Sequence, residues 1–202
     1  MRLLLTLAAL AGALSNAFAA GNVVISQVYG GGGSTNSATL YKWDYVELYN
    51  RSAAPVSIGG WSLQYASATG GFSSFNTEAL NPVTIEPGRY YLVRMGSSAG
   101  PVGAELPVTP DEIGALNLGG TSGKIALVSS TTPLATTSPT QVSVVDYVGY
   151  GSANAYEGTG AAPATTVTTA ILRAGTPRGA TDTDSNTADF TLGTPDPANS
   201  AG

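Results

Sequence analysis

From residue 22 onward the apolar residues recur at every second position, in short runs that Gly, Ser, Thr or Pro soon interrupts. A period of two is the signature of a strand with two unlike faces, and no segment carries an uninterrupted helical period with caps. Asn22 to Tyr29 sets Val23, Ile25 and Tyr29 on one parity and Ser26 on the other. Trp43 to Asn50 sets Trp43, Tyr45 and Glu47 against Val46 and Leu48. Trp61 to Tyr65, Arg89 to Met95, Lys124 to Val128, Val142 to Tyr150, Thr168 to Leu172 and Asp189 to Leu192 complete eight runs. Between them stand turn signals with definite causes. In Glu86-Pro87-Gly88 the proline fixes φ and the glycine supplies positive φ. Gly59-Gly60 and Gly119-Gly120 act similarly. One helical turn is predicted over Asp111 to Leu116, started by Pro110 and Asp111. Eight short strands imply an all-β fold, and the strand number favours an immunoglobulin-like antiparallel sandwich. The length requires long inserted loops, expected at Gly30 to Leu40 and Gly96 to Pro110. Thr131 to Thr140 and Gly158 to Thr169 read as surface loops.

Composition removes whole classes of chemistry. The chain has no His and no Cys. A Ser-His-Asp triad, a His-ligated metal, a thiol nucleophile, a disulfide and a structural zinc site are therefore excluded. The formal net charge of −5 argues against the phosphate backbone as the main ligand. The seven basic side chains after residue 20 are dispersed at Lys42, Arg51, Arg89, Arg94, Lys124, Arg173 and Arg178, with no basic stripe, so nucleic acid is not an expected partner.

Residues 1–19 read as a secretory signal peptide. Met1-Arg2 is followed by the apolar run Leu3 to Leu14, and Ala17-Phe18-Ala19 fits a cleavage site before Ala20. The run is too short to span a bilayer, and no later stretch is long and apolar enough. The expected mature chain, residues 20–202, is one domain with seven basic and thirteen acidic side chains.

The order of these motifs resembles the lamin-tail domain family in its bacterial secreted form. Val24-Ile25-Ser26-Gln27-Val28-Tyr29 with the glycine run Gly30 to Gly33 is similar to that family's first strand and loop. Asp44-Tyr45-Val46-Glu47-Leu48-Tyr49-Asn50, Pro55-Val56 and Gly60-Trp61-Ser62-Leu63 resemble its central signature. Pro87-Gly88 with Tyr90-Tyr91-Leu92-Val93, then Gly123 to Val128 and Val145 to Gly151, continue it, and Asp182 to Asn186 with Asp189-Phe190 resembles the end of the bacterial branch. On this reading the resemblance covers essentially all of the mature chain. Relatives in that branch often carry a Cys pair where this chain has Tyr156 and Ala180, so packing or a bound ion must hold the end here. The resemblance implies an interaction or targeting module; in bacteria the family often accompanies secreted nucleases, phosphoesterases and other hydrolases.

Taken by themselves, Trp61 and Tyr65 read as core aromatics. Glu47 shares the parity of Trp43 and Tyr45 and is expected to need a cation, with Arg89 or Lys124 as the suggested partner. The dense acidic constellation is Asp182, Asp184, Asn186 and Asp189, whose alternating oxygens suit Ca²⁺ and make it the candidate cofactor. Thr187 and Gly193 stand where an EF-hand requires Gly and Glu, so this is not an EF-hand, and the competing reading is a solvated loop that caps its own turns. Gly30 to Ser34 lacks the Lys and helix of a phosphate loop. Ser122 and Lys124 make an unsupported dyad, and Asp44, Glu47, Asp146 and Glu157 are the carboxylates from which a glycosidase-like pair would be drawn. The favoured expectation is a secreted, non-catalytic module of the cell envelope or extracellular space with a protein partner. The alternative is a secreted, carboxylate-based, calcium-dependent hydrolase, or an accessory domain of a secreted nuclease or phosphoesterase.

Overall fold

The computed structural model describes residues 21–96 and 100–202, so the segment read as a signal peptide lies outside the described residues. The strands are β1 Val23–Tyr29, β2 Asp44–Asn50, β3 Val56–Ser57, β4 Ser62–Ala66, β5 Thr77–Ala79, β6 Thr84–Ile85, β7 Tyr90–Met95, β8 Glu112–Ile113, β9 Gly123–Val128, β10 Val144–Tyr150, β11 Ala170–Arg173 and β12 Phe190–Gly193. A single helical turn, α1, spans Asn186–Asp189. One sheet has the order β12-β11-β1-β2-β7-β8, a second the order β10-β9-β4-β5, and β3 pairs with β6.

The two larger sheets face each other across one core. The six-stranded sheet contributes Val23, Ile25, Val28, Val46, Leu48 and Val93, and the four-stranded sheet contributes Leu63, Ile125, Leu127 and Val148. Burying each such side chain stabilises the fold by roughly 1.5–3 kcal/mol, which makes this interface the main source of stability. Trp61 and Tyr65 pack against the same core, as their parity with Leu63 requires. The architecture is an immunoglobulin-like β-sandwich. The turn at Pro87-Gly88 forms as expected, with Gly88 at φ +70°.

Three sequence expectations are corrected. The helical turn placed over Asp111 to Leu116 is instead the short strand β8, parallel to β7, because the backbone of Gly114 donates to Arg94 and Glu112 pairs with Val93. Simple alternation also fails in β1. A bulge between Ile25 and Gln27 inserts Ser26, which shifts the later residues to the opposite parity. Val28 therefore joins the core, while Tyr29 packs with Tyr45, Leu92 and Ala170 on the outer face. The third correction concerns the loops. Thr131 to Thr140 does run over the surface, but it also closes the outer face of the four-stranded sheet: Leu134 is buried with Phe72, Ala126 and Tyr147, and Gln64 Nε2 donates to Thr132 O at 3.0 Å.

Candidate functional site

Two arginine–carboxylate centres lie on the six-stranded sheet, one inside the sandwich and one on its outer face. At the end of β11, Arg173 is carried into the interior, where its side chain is fully buried. Nη2 donates to both oxygens of Asp146 at 2.8 and 2.7 Å, Nη1 to Asp182 Oδ1 at 2.8 Å, and Nε to the carbonyl of Ile25 at 2.8 Å. Asp189 stands 3.5 Å from Nη1, and the Phe190 ring lies 4.5 Å beneath the guanidinium. Asp146 also accepts the N–H of Ile25, so it serves the guanidinium and the backbone at once. The remaining oxygen of Asp182 faces Arg51 Nη1 at 3.1 Å.

A further carboxyl closes this centre. One oxygen each of Asp146, Glu157 and Asp182 lies within 4.8 Å of the others. Burial pushes the Glu157 carboxyl up to about 10, with the charge of Asp146 adding to the effect, so it is neutral at pH 7. Asn186 fixes it. The Asn186 amide donates to Tyr147 O at 2.9 Å and Glu157 Oε2 at 3.1 Å, while its oxygen accepts from Gly149 N at 2.8 Å and Glu157 N at 3.2 Å. A Cβ at Gly149 would collide with the carbonyl of Ala155, so the close approach requires glycine. This amide and the Arg173 ion pairs tie the segment Asp182 to Asp189 to β10 and β11.

The four residues read as candidate Ca²⁺ ligands are thus divided. Asp182 and Asp189 face the Arg173 guanidinium. Asp189 also accepts from Thr183 N at 2.9 Å, Thr183 Oγ1 at 2.6 Å and Ser185 N at 3.3 Å, in the manner of a turn cap. Asn186 turns away to β10. Asp184 sits at φ +53°, a conformation aspartate tolerates, and its carboxyl is raised by burial and by the neighbouring Asp182 and Asp189. The sequence reading had Asp146 and Glu157 only as candidates for a hydrolytic pair and Arg173 only as a dispersed base, and it set none of them beside Asp182. A lone arginine ending an apolar strand and a lone aspartate inside another were the available signal.

The second centre belongs to Glu47, which the alternation of β2 puts on the outer face. Its partner is Arg178, not Arg89 or Lys124. Arg178 Nε and Nη2 donate to its two oxygens at 3.0 and 2.9 Å in the parallel fork that guanidinium and carboxylate favour. Arg89 instead reaches Gly202 O at 2.8 Å, and the Lys124 ammonium is enclosed by Gly70 O, Thr137 O and Asn154 Oδ1 at 2.7, 3.0 and 2.7 Å. Those acceptors engage Lys124 fully and remove it from any dyad with Ser122. Ser26 Oγ, buried on this face, donates to Glu47 Oε1 at 2.6 Å, and Tyr45 OH donates to Gln27 Oε1 at 2.6 Å. Residues 195–200 cross over the top of this network.

Of the four carboxylates read as a hydrolytic set, Asp146 and Glu157 converge, with oxygens within 4.8 Å in the buried interior centre, while Asp44 and Glu47 lie apart from them. Asp44 accepts from Gly32 N at 2.8 Å and Leu118 N at 2.9 Å, clamping the glycine run, and burial raises its carboxyl to about 7. Glu47 lies on the outer face, while Asp146 and Glu157 belong to the interior centre. On the surface, Arg94 stacks 3.7 Å over Trp43, whose indole N–H donates to Glu105 at 3.0 Å. Among the described residues no helix is long and apolar enough to cross a membrane.

Comparison with curated proteins gives no match. A family model, Lamin Tail Domain, matches residues 16–152, a narrower span than the resemblance suggested. Residues 153–202 lie beyond the match, yet they supply β11, β12, Arg173, Arg178 and the crossing segment, and they pair directly with β1. The central signature and the strands β1 to β10 fall within the matched span, and the chain belongs to the lamin tail domain family.

Proposed function

We propose that this chain is an exported, non-catalytic interaction module that acts in the cell envelope or extracellular space and binds a protein partner. The observation that supports this most is how the reactive side chains are used. Arg173 engages Asp146, Asp182 and Asp189; Glu47 engages Arg178; Lys124 is enclosed by three acceptors. Groups committed to one another in this way hold a scaffold and offer no free acid, base or nucleophile to a substrate. Export rests on the N-terminal apolar segment and its cleavage pattern. A protein partner fits better than nucleic acid, because Arg173 and Lys124 are buried and Arg178 and Arg51 are paired, which leaves little positive charge for phosphates.

The test is a pull-down from the envelope and medium of the producing cell, run beside turnover assays on DNA, RNA, phosphodiesters and polysaccharides with and without Ca²⁺. A specific protein partner without turnover is expected. Enzymatic turnover that is lost in Glu47→Ala or Asp184→Ala would establish the hydrolase reading instead. In this reading the Asp182–Asp189 segment is structural: Ca²⁺ should give no saturable heat in calorimetry and no rise in Tm, and either signal would restore calcium as a ligand.

A further inference from the structure

The segment that crosses the outer face, Thr194 to Gly202, is held by side chains of the sheet that reach its backbone. It joins no sheet. Pro195 and Pro197 are buried, while Asp196 between them is exposed. Proline has no N–H, so the stretch Pro195 to Ala198 offers only the N–H groups of Asp196 and Ala198. Each of the two meets one buried side-chain acceptor: Asp196 N–H donates to Gln27 Oε1 at 3.0 Å, and Ala198 N–H donates to Glu47 Oε2 at 2.7 Å. The carbonyl of Asp196 accepts from Gln27 Nε2 at 3.0 Å and from Arg178 Nη2 at 2.8 Å. Beyond it, Ser200 N–H and Oγ donate to Asp111.

Side chains of the sheet thus read the backbone of an extended strap through a repeat of proline and free N–H. The exposed side chain of Asp196 adds only a long ion pair, 3.7 Å from Arg178 Nη1. Lifting the strap leaves Gln27 Oε1 with Tyr45 OH and Glu47 with Arg178 and Ser26, but it removes the two N–H donors and the Asp196 carbonyl, places that another extended backbone with the same groups can fill.

We infer that the outer face of the six-stranded sheet is a receptor groove for an extended Pro-x-Pro-x peptide, and that Thr194–Gly202 is its intramolecular occupant. The ligand is a proline-containing segment of another polypeptide with the same alternation of buried proline and free N–H. This deepens the interaction-module reading, on which it rests, by naming the ligand class and the surface. Occupancy by the strap competes with the external peptide by mass action, because a tethered segment has a high effective concentration.

The experiment uses the full chain and a fluorescent peptide of residues 194–202, followed by anisotropy. The unaltered chain should bind the peptide weakly. Ala198→Pro in the full chain deletes the N–H that Glu47 accepts and loosens the strap, so binding of the peptide should strengthen about tenfold, the size of one lost hydrogen bond to a charged group. A peptide carrying the same A198P change should lose that gain. A folded Ala198→Pro chain that binds both peptides equally, or neither, overturns the inference. Should Ala198→Pro fail to fold, hydrogen exchange on the unaltered chain decides. The amides of Asp196 and Ala198 should exchange by local opening, at least tenfold faster than core amides of β2, and exchange at the core rate overturns the groove. A partner captured by the pull-down that ignores this peptide would leave the interaction module standing and remove only the groove.

Discussion

The Arg173 and Glu47 centres use the same chemistry to opposite ends. Both join a guanidinium to carboxylates on the six-stranded sheet. At Arg173 every partner comes from the sandwich interior and from the loop that closes it, so the centre is complete when the fold is complete. At Glu47 one acceptor lone pair and the Gln27 amide remain directed outward, and a nine-residue strap meets them. The difference lies in geometry. A buried charge surrounded on all sides can only be structural, whereas one backed by a sheet and capped by an irregular segment can exchange its cap.

The contrast can be broken most forcefully at Arg173. Replacing it with Met leaves Asp146 and Asp189 buried without their cation and Asp182 with Arg51 alone, and the loss is expected to be about 3–5 kcal/mol. Urea denaturation should show it as a fall in the midpoint; a change under ~1 kcal/mol would mean that the interior centre is solvated. Arg178→Met should cost less, about 1–3 kcal/mol, because Arg178 is partly exposed and water can reach Glu47 when the strap lifts. Equal losses at the two sites would erase the distinction drawn between them.

Proton linkage sharpens it next. Burial raises the Glu157 carboxyl to about 10 and that of Asp44 to about 7, both above their unfolded values. The native state therefore holds protons that the unfolded chain has released, and stability must fall as pH rises from about 4.5, through 7 for Asp44 and towards 10 for Glu157. Tm measured from pH 5 to 9 should decline, and Glu157→Gln should flatten the alkaline part of that decline. A Tm that rises with pH would contradict the placement of both carboxyls. The smallest effect is expected away from both centres: Arg94→Ala removes a surface stack on Trp43 and should change stability by about 0.5–1 kcal/mol.

Much of the sandwich was legible because its strands alternate. Val46 and Leu48 had to face the core once Tyr45 and Glu47 faced away, and Trp61, Leu63 and Tyr65 had to share a side. What alternation cannot see is an extra residue. Ser26 reads as an ordinary strand position, yet as a bulge it sends Val28 into the core and Tyr29 outward. Nor can a local pattern distinguish one helical turn from a two-residue strand. Asp111 to Leu116 became β8 because β7 offered an unpaired edge, while the turn that did form, Asn186–Asp189, is set by contacts with Glu157 and β10.

That this chain builds a β-sandwich of the lamin tail type without His or Cys chemistry follows from its residues alone, since composition and a period of two are local properties that survive any arrangement of the strands. Which charges meet depends on how the strands assemble. Arg173 lies 27 residues from Asp146, and Arg178 lies 131 residues from Glu47. Pairings at such separations follow from sheet order and register, and those are fixed only when distant strands bury their apolar faces together.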